Sequence, residues 1–146
     1  MKNITDRLAT QTYQTSLLHS RAHRALTSYM GDTLNKNDLS LPQWGTLGVL
    51  YDNTSLRPFQ IAAFLGVRPP VATALINDLE AKKLVIRRAH SNDSRASVIE
   101  LTRQGKNLVA KIEKQLNKEM QTFFGDVALP ELIVYMRVLT KIAAKV

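Results

Sequence analysis

Residue types able to do chemistry are concentrated in one segment of the chain. Between Arg57 and Lys106 stand nine basic residues (Arg57, Arg68, Lys82, Lys83, Arg87, Arg88, Arg95, Arg103, Lys106) against four acidic ones (Asp78, Glu80, Asp93, Glu100). This segment therefore carries most of the formal charge of +8. Such an excess suits the neutralisation of phosphates with release of their counterions, which places nucleic acid ahead of an anionic membrane as partner. Acid-base and nucleophilic chemistry have no comparable locus. The sequence lacks G-x-S-x-G, the P-loop pattern, H-E-x-x-H and G-x-G-x-x-G, and its acidic residues are scattered. Cysteine is absent, which removes disulfides, thiolate catalysis and Cys-based zinc sites. His19 and His23 lie four apart on one helix face, but no Cys, Asp or Glu stands beside them, so a metal would need ligands from elsewhere or from a second subunit. The reading is not an enzyme, with no metal and no cofactor.

The elements that must hold the basic segment follow from the apolar spacing. Leu17, Leu18, Ala22, Ala25, Leu26, Tyr29 and Met30 recur by threes and fours within a first helix over Leu8 to Leu34. Ser40 and Gln43 have the form of a capping box around Pro42, opening a second helix over Leu41 to Tyr51. Pro58 opens a short helix that stops at Gly66, and Pro69 and Pro70 open a fourth that ends near Lys83. On that fourth helix Val71, Leu75, Ile76 and Leu79 are expected inward, with Arg68, Thr73, Ala74, Asn77 and Lys82 outward. Leu84 to Arg88 and Ser97 to Leu101 predict a hairpin with a long tip over Ala89 to Ala96, with a short extra strand near Ser55 to Arg57. Thr102 caps a fifth helix carrying Leu108, Ile112, Leu116, Met120 and Phe123. Gly125 and Asp126 end it, and a last amphipathic helix runs from Pro130 to Val146.

Two helices joined by a tight turn at Gly66 and followed by a basic hairpin make the pattern of a winged helix-turn-helix. The second helix of such a pair fits the major groove of a duplex. The same spacing also occurs in helical domains that bind no DNA, and a basic cluster is also met as a solvated face. The rival reading is therefore a helical protein-protein interaction module without specific DNA binding, and a basic small-molecule enzyme stands third.

The stretches Leu79-Glu-Ala-Lys-Lys-Leu-Val85, Arg87-Arg-Ala-His-Ser-Asn-Asp-Ser-Arg95 and Val98-Ile-Glu-Leu-Thr102-Arg-Gln-Gly105 resemble the recognition-helix end, wing and wing exit of the MarR family of bacterial transcriptional regulators. Gln43, Trp44, Leu47, Leu50 and the Ile61-Ala62 pair are similar to that family's earlier pattern. The resemblance implies a homodimer whose terminal helices interlock, a fourth helix that reads the major groove, and a wing arginine, Arg95, that reaches the minor groove, with Asp93 steadying the wing. It also implies an effector pocket between the first two helices and the winged domain, where His23, Tyr29 and Trp44 are the candidate lining residues. The chain departs from the family at Lys83, where glycine is usual, so this lysine takes the helix-ending conformation or the cap differs. Val71 and Ala74 occupy places that are usually polar or basic, and Ser94 stands where many relatives carry another arginine.

The expected architecture is mainly α. Residues 39–105 form a winged helix-turn-helix core with a two-stranded wing, and residues 1–38 and 106–146 form the dimerisation region. Three amphipathic helices beside so small a core expose more apolar surface than it can cover, an independent reason for a dimer. Arg68, Thr73, Asn77, Lys82, Arg87, Arg88 and Arg95 are the expected DNA contacts on a pseudo-palindromic double-stranded operator. The function expected is a sequence-specific regulator, a repressor released by a small anionic or aromatic effector. From Met1 to Leu18 no apolar run approaches the roughly 18 residues of a membrane span, so the expectation is a cytoplasmic protein without a membrane partner.

Overall fold

In the computed structural model, which describes residues 12–90 and 93–145, six helices and a three-stranded antiparallel sheet follow one another along the chain. They are α1 (Thr12–Lys36), α2 (Leu41–Asn53), β1 (Ser55–Leu56), α3 (Pro58–Leu65), α4 (Pro69–Ala81), β2 (Val85–His90), β3 (Asp93–Leu101), α5 (Arg103–Phe123) and α6 (Leu129–Ala143). Strand β3 lies between β1 and β2. The core is built by Leu47 and Leu50 of α2, Ile61 of α3, Ile76 and Leu79 of α4, Ile99 of β3 and Ile112 of α5, all buried. Each contributes about 1.5–3 kcal/mol through its removal from water.

The helix ends show why the segments stop where they do. Ser40 Oγ accepts from the Gln43 N–H at 3.3 Å while Gln43 Oε1 accepts from the Ser40 N–H at 3.0 Å, so the expected capping box forms. Three helices then end in the same way, with a residue at positive φ whose successor donates back five residues. At the end of α3 this residue is Gly66, with Val67 N–H bonded to Ala62 O at 3.0 Å. At the end of α1 it is Asp38, with Leu39 N–H bonded to Leu34 O at 3.0 Å. At the end of α4 it is Lys83, with Leu84 N–H bonded to Leu79 O at 2.9 Å. Lys83 thus adopts, at φ +61°, the conformation in which glycine is usual. The Lys82 ammonium bridges two of these caps, pairing with the Asp38 carboxylate at 3.0 Å and also bonding the Asp38 carbonyl.

Three sequence expectations change. Val71 is exposed and Ala72 is buried, because the inward stripe of α4 is Ala72, Ile76 and Leu79, at steps of four and three. The wing strands reach further into the polar segment than expected, to His90 and from Asp93, with a register irregularity between Ala89 and His90. A two-stranded ribbon needs only its backbone groups paired, so polar side chains do not end it. Strand β1 stops at Leu56, where Ser55 pairs with Glu100 and Leu56 with Ile99, and Arg57 takes the N-cap of α3.

Candidate nucleic-acid interface

Helix α4 is positioned by its own first residues. Arg68 precedes a proline and is extended, with φ −70° and ψ 149°, as the proline ring requires of its neighbour. Pro69 and Pro70 then occupy the first helical turn, where no N–H is needed. The left-handed Gly66 turns the chain so that α3 and α4 meet at 109°, inside the range of about 90–120° for helix-turn-helix pairs. With Ala72, Ile76 and Leu79 held in the core, Thr73, Ala74, Asn77 and Asp78 are left on the exposed side with Val71. This face offers a hydroxyl, an amide, a carboxylate and two small apolar groups, a set able to contact base edges and thymine methyls.

The wing is tied to the helix end by backbone geometry. The Thr102 hydroxyl donates to Lys83 O at 2.7 Å and accepts from Gly105 N–H at 3.0 Å, and Thr102 N–H donates to Leu84 O at 3.0 Å. A Cβ on Gly105 would lie 2.1 Å from Leu84 O, so only glycine admits this approach. The end of α4, the start of β2 and the start of α5 therefore meet at one point.

The basic side chains divide into two groups. Lys82 pairs with Asp38, Arg87 Nε with Glu80 Oε2 at 3.0 Å, and Arg88 Nε with Glu100 Oε2 at 3.0 Å. Arg87 also donates to Asn77 Oδ1 at 2.6 Å. Arg68, Lys83, Arg103 and Lys106 are exposed and form no ion pair among the described residues. Exposed pairs are worth only about 0–1 kcal/mol, so a phosphate can compete for Lys82 and Arg88. Arg87 and Lys82 each hold two acceptors and have side chains about one third exposed (32% and 30%), so Arg88, 61% exposed with one partner, is the most available of the three. Sequence reasoning named the three paired cations and Arg68 as DNA contacts and passed over Lys83, Arg103 and Lys106. The signal of Lys83 was a non-glycine residue at a helix-ending position beside the wing. Asp93 and Arg95 fall in β3, and their side chains lie outside the described residues.

The three candidate effector residues are not brought together within one chain. Trp44 lines an open groove of about 650 Å³ between α2 and α5, with Gly48, Tyr51, Val109, Glu113 and Lys114. Tyr29 lies elsewhere, its ring 5.0 Å from that of Phe123, in a groove with Asp32, Lys36 and Glu119. His23 is exposed and lines neither. Helical spacing places a residue on a face but does not say which gap that face borders. His19 is exposed too, and no group of three or more metal-ligating side chains occurs among the described residues. Helix α6 has no buried residue and exposes Leu129, Ile133, Val134, Met136 and Ile142. Beside it, Ala22, Leu26, Phe123, Phe124, Val127 and Leu132 line an apolar groove of about 350 Å³. No single helix among the described residues is long and apolar enough to cross a membrane.

Comparison with known proteins points to one group. Residues 37–96, from the turn before α2 to the middle of the wing, match the profile of the MarR family. The HTH-type transcriptional regulator FarR of Neisseria gonorrhoeae is 28% identical over 98 residues, 67% of either chain. The fold is similar to that of NadR, whose crystal structure holds 4-hydroxyphenylacetate, with a TM-score of 0.78 and 23% identity over 87% of this chain and 90% of that one. It is also similar to a MarR mutant from E. coli complexed with operator DNA, with a TM-score of 0.73 and 17% identity over 97% and 99% of the two chains.

Proposed function

We propose, from the match of residues 37–96 to the MarR family profile and the 28% identity to FarR, that the chain is a member of that family and a sequence-specific double-stranded DNA-binding transcriptional regulator, acting as a homodimeric repressor that a small anionic or aromatic effector releases. The observation that carries this reading is the exposed polar side of α4, where Thr73 and Asn77 stand between the unpaired Arg68 at one end and Lys83 at the other. Polar groups for base edges are thus flanked by cations for phosphates. Residues 39–105 are the reading head, and residues 1–38 and 106–146 join two copies. The bare apolar face of α6 supports the second assignment, since large exposed patches mark association surfaces. A symmetric dimer places two copies of α4 about one DNA turn, roughly 34–36 Å, apart and makes the operator a pseudo-palindrome.

The Trp44 groove is the effector site in this reading. Its aromatic wall of Trp44 and Tyr51 suits an aromatic ligand, and Lys114 is the cation of the lining, beside the carboxylates of Asp52 and Glu113; the carboxylate class is taken from NadR, of similar fold, which holds 4-hydroxyphenylacetate. Such a ligand releases DNA only to the extent that it binds the non-binding geometry of the dimer more tightly. The test is selection of bound fragments from random and genomic DNA by the purified protein, followed by titration with aromatic carboxylates. A regulator enriches one pseudo-palindrome and binds random duplex weakly with a steep salt dependence. Enrichment of nothing above random would leave the interaction-module reading. Trp44, the sole tryptophan, reports the effector: DNA release with unchanged Trp44 emission would remove the groove from the proposal.

A further inference from the structure

The bonds made by Arg87 give it a task other than holding phosphate, if the DNA-binding reading above is right. Arg87 reaches from β2 to α4, where Nε meets Glu80 Oε2 at 3.0 Å and Nη2 meets Asn77 Oδ1 at 2.6 Å. Asn77 and Glu80 are three residues apart on one helix, so their acceptors sit side by side and one planar fork can bridge them. A guanidinium has only donors. The amide atom facing it must therefore be the oxygen, because a flipped amide would set N–H against N–H. Nδ2 is left as the free end of an exposed side chain, and among the described residues it donates to nothing.

We propose that Arg87 is a positioning residue that locks the Asn77 amide in one of its two orientations, so that Asn77 reads the major groove through its Nδ2 donor. The base it meets must then present an acceptor, namely purine N7, guanine O6 or thymine O4, and cytosine, whose groove edge presents the N4 donor, is excluded there. Glu80 holds the guanidinium in place and offsets its charge, which makes Arg87 a poor phosphate ligand. Without the fork, the amide turns freely and one base position in each half-site loses its discrimination.

The experiment is operator selection from randomised duplex with the full-length wild type, Arg87→Met and Asn77→Ala, followed by competition binding of each protein at several salt concentrations. The wild type is expected to exclude cytosine at one base per half-site. Both variants are expected to lose about fivefold to tenfold in discrimination at that same base, the low end of what a base contact supplies. Arg87→Met keeps the wild-type salt slope, and the double variant loses no more discrimination than either single one. Arg87→Lys, which keeps the charge and reaches Glu80 but lacks the second donor edge, carries the same expectation if Arg87→Met does not fold. Equal weakening on all sequences with a salt slope lower by about one unit overturns the proposal, since that is how a phosphate anchor behaves. Unchanged discrimination in Arg87→Met overturns it as well. A wild-type protein that enriches no sequence overturns this proposal together with the DNA-binding reading, whereas the other two results leave that reading standing.

Discussion

Replacing Lys83 by glycine should stabilise the protein, although it deletes a whole side chain. Lys83 has φ +61°, a left-handed conformation in which Cβ crowds the following carbonyl at a cost of roughly 1–2 kcal/mol. Glycine removes that cost and gives back about 0.4–1 kcal/mol through its freer unfolded chain. The difference runs from about 0 to 1.6 kcal/mol, a gain centred on about 0.8 kcal/mol. The conformation is fixed from both sides, by the Lys83 N–H to Glu80 O and Leu84 N–H to Leu79 O bonds, each 2.9 Å, and by the Thr102 hydroxyl on Lys83 O at 2.7 Å. The glycine variant therefore keeps the same cap, and the strain is relieved in place. For a chain of this length, about 1 kcal/mol shifts Tm by roughly 2–4 °C, so a rise of about 1–4 °C is expected. The assay is thermal unfolding followed by circular dichroism at one protein concentration, because association makes Tm concentration-dependent. Lys83→Ala loses the same distal atoms but keeps Cβ, and it should stay close to wild type. If glycine and alanine shift Tm equally, or glycine lowers it, the assignment of strain to Lys83 is wrong.

Three other outcomes are expected. Gly105→Ala should cost about 3 kcal/mol or more, read by urea unfolding, because its Cβ would fall 2.1 Å from a backbone carbonyl, that of Leu84, rather than against a movable side chain; a loss under about 1 kcal/mol would show that the contact between α5 and β2 relaxes freely. Met136→Asp, at a position 60% exposed in one chain, should convert a dimer to monomers in sedimentation while leaving helical circular dichroism intact, and an unchanged sedimentation coefficient would clear this face of α6. Arg95→Ala should weaken operator binding by about 1–3 kcal/mol without altering Tm, with Asp93→Ala acting more mildly through a looser wing, and equal affinity at matched salt would remove the minor-groove role.

What the sequence made legible is local. Pro58, Pro69 and Pro70 mark helix starts because the ring fixes φ, and Ser40 with Gln43 marks another because a capping box closes within four residues. Position Lys83 could be recognised as a helix end, although nothing local decided whether lysine would accept positive φ. What was hidden depends on where elements meet. Val71 reads as core and Ala72 as neutral on hydrophobicity alone, yet the phase of α4 is set by Ile76 and Leu79, and it is Ala72 that lines up with them. The partners of the arginines and lysines were equally out of reach. Lys82 finds Asp38 across 44 residues, and alternation along β2 gives the face of Arg87 but not the helix opposite it. The same limit scattered His23, Tyr29 and Trp44, each on a plausible face and none on a shared gap.

These pairings change what the charge of the basic segment means. Nine cations between Arg57 and Lys106 suggest a surface that grips any duplex, yet Lys82, Arg87 and Arg88 each stand beside a carboxylate. A phosphate approaching them must share the cation with that carboxylate or displace it, so each gives less than the counterion-release value of a free lysine or arginine. Among the described residues of this segment Arg68, Lys83, Arg103 and Lys106 are exposed without an ion pair, and in the proposed reading the first and second of these, at the two ends of α4, flank the side chains able to read bases. Non-specific affinity, which counts charges, is lowered by the pairing, while base contacts, which count hydrogen bonds and methyls, are not. Since discrimination is the ratio of the two, acidic residues inside a basic interface raise specificity by weakening the binding that every sequence shares.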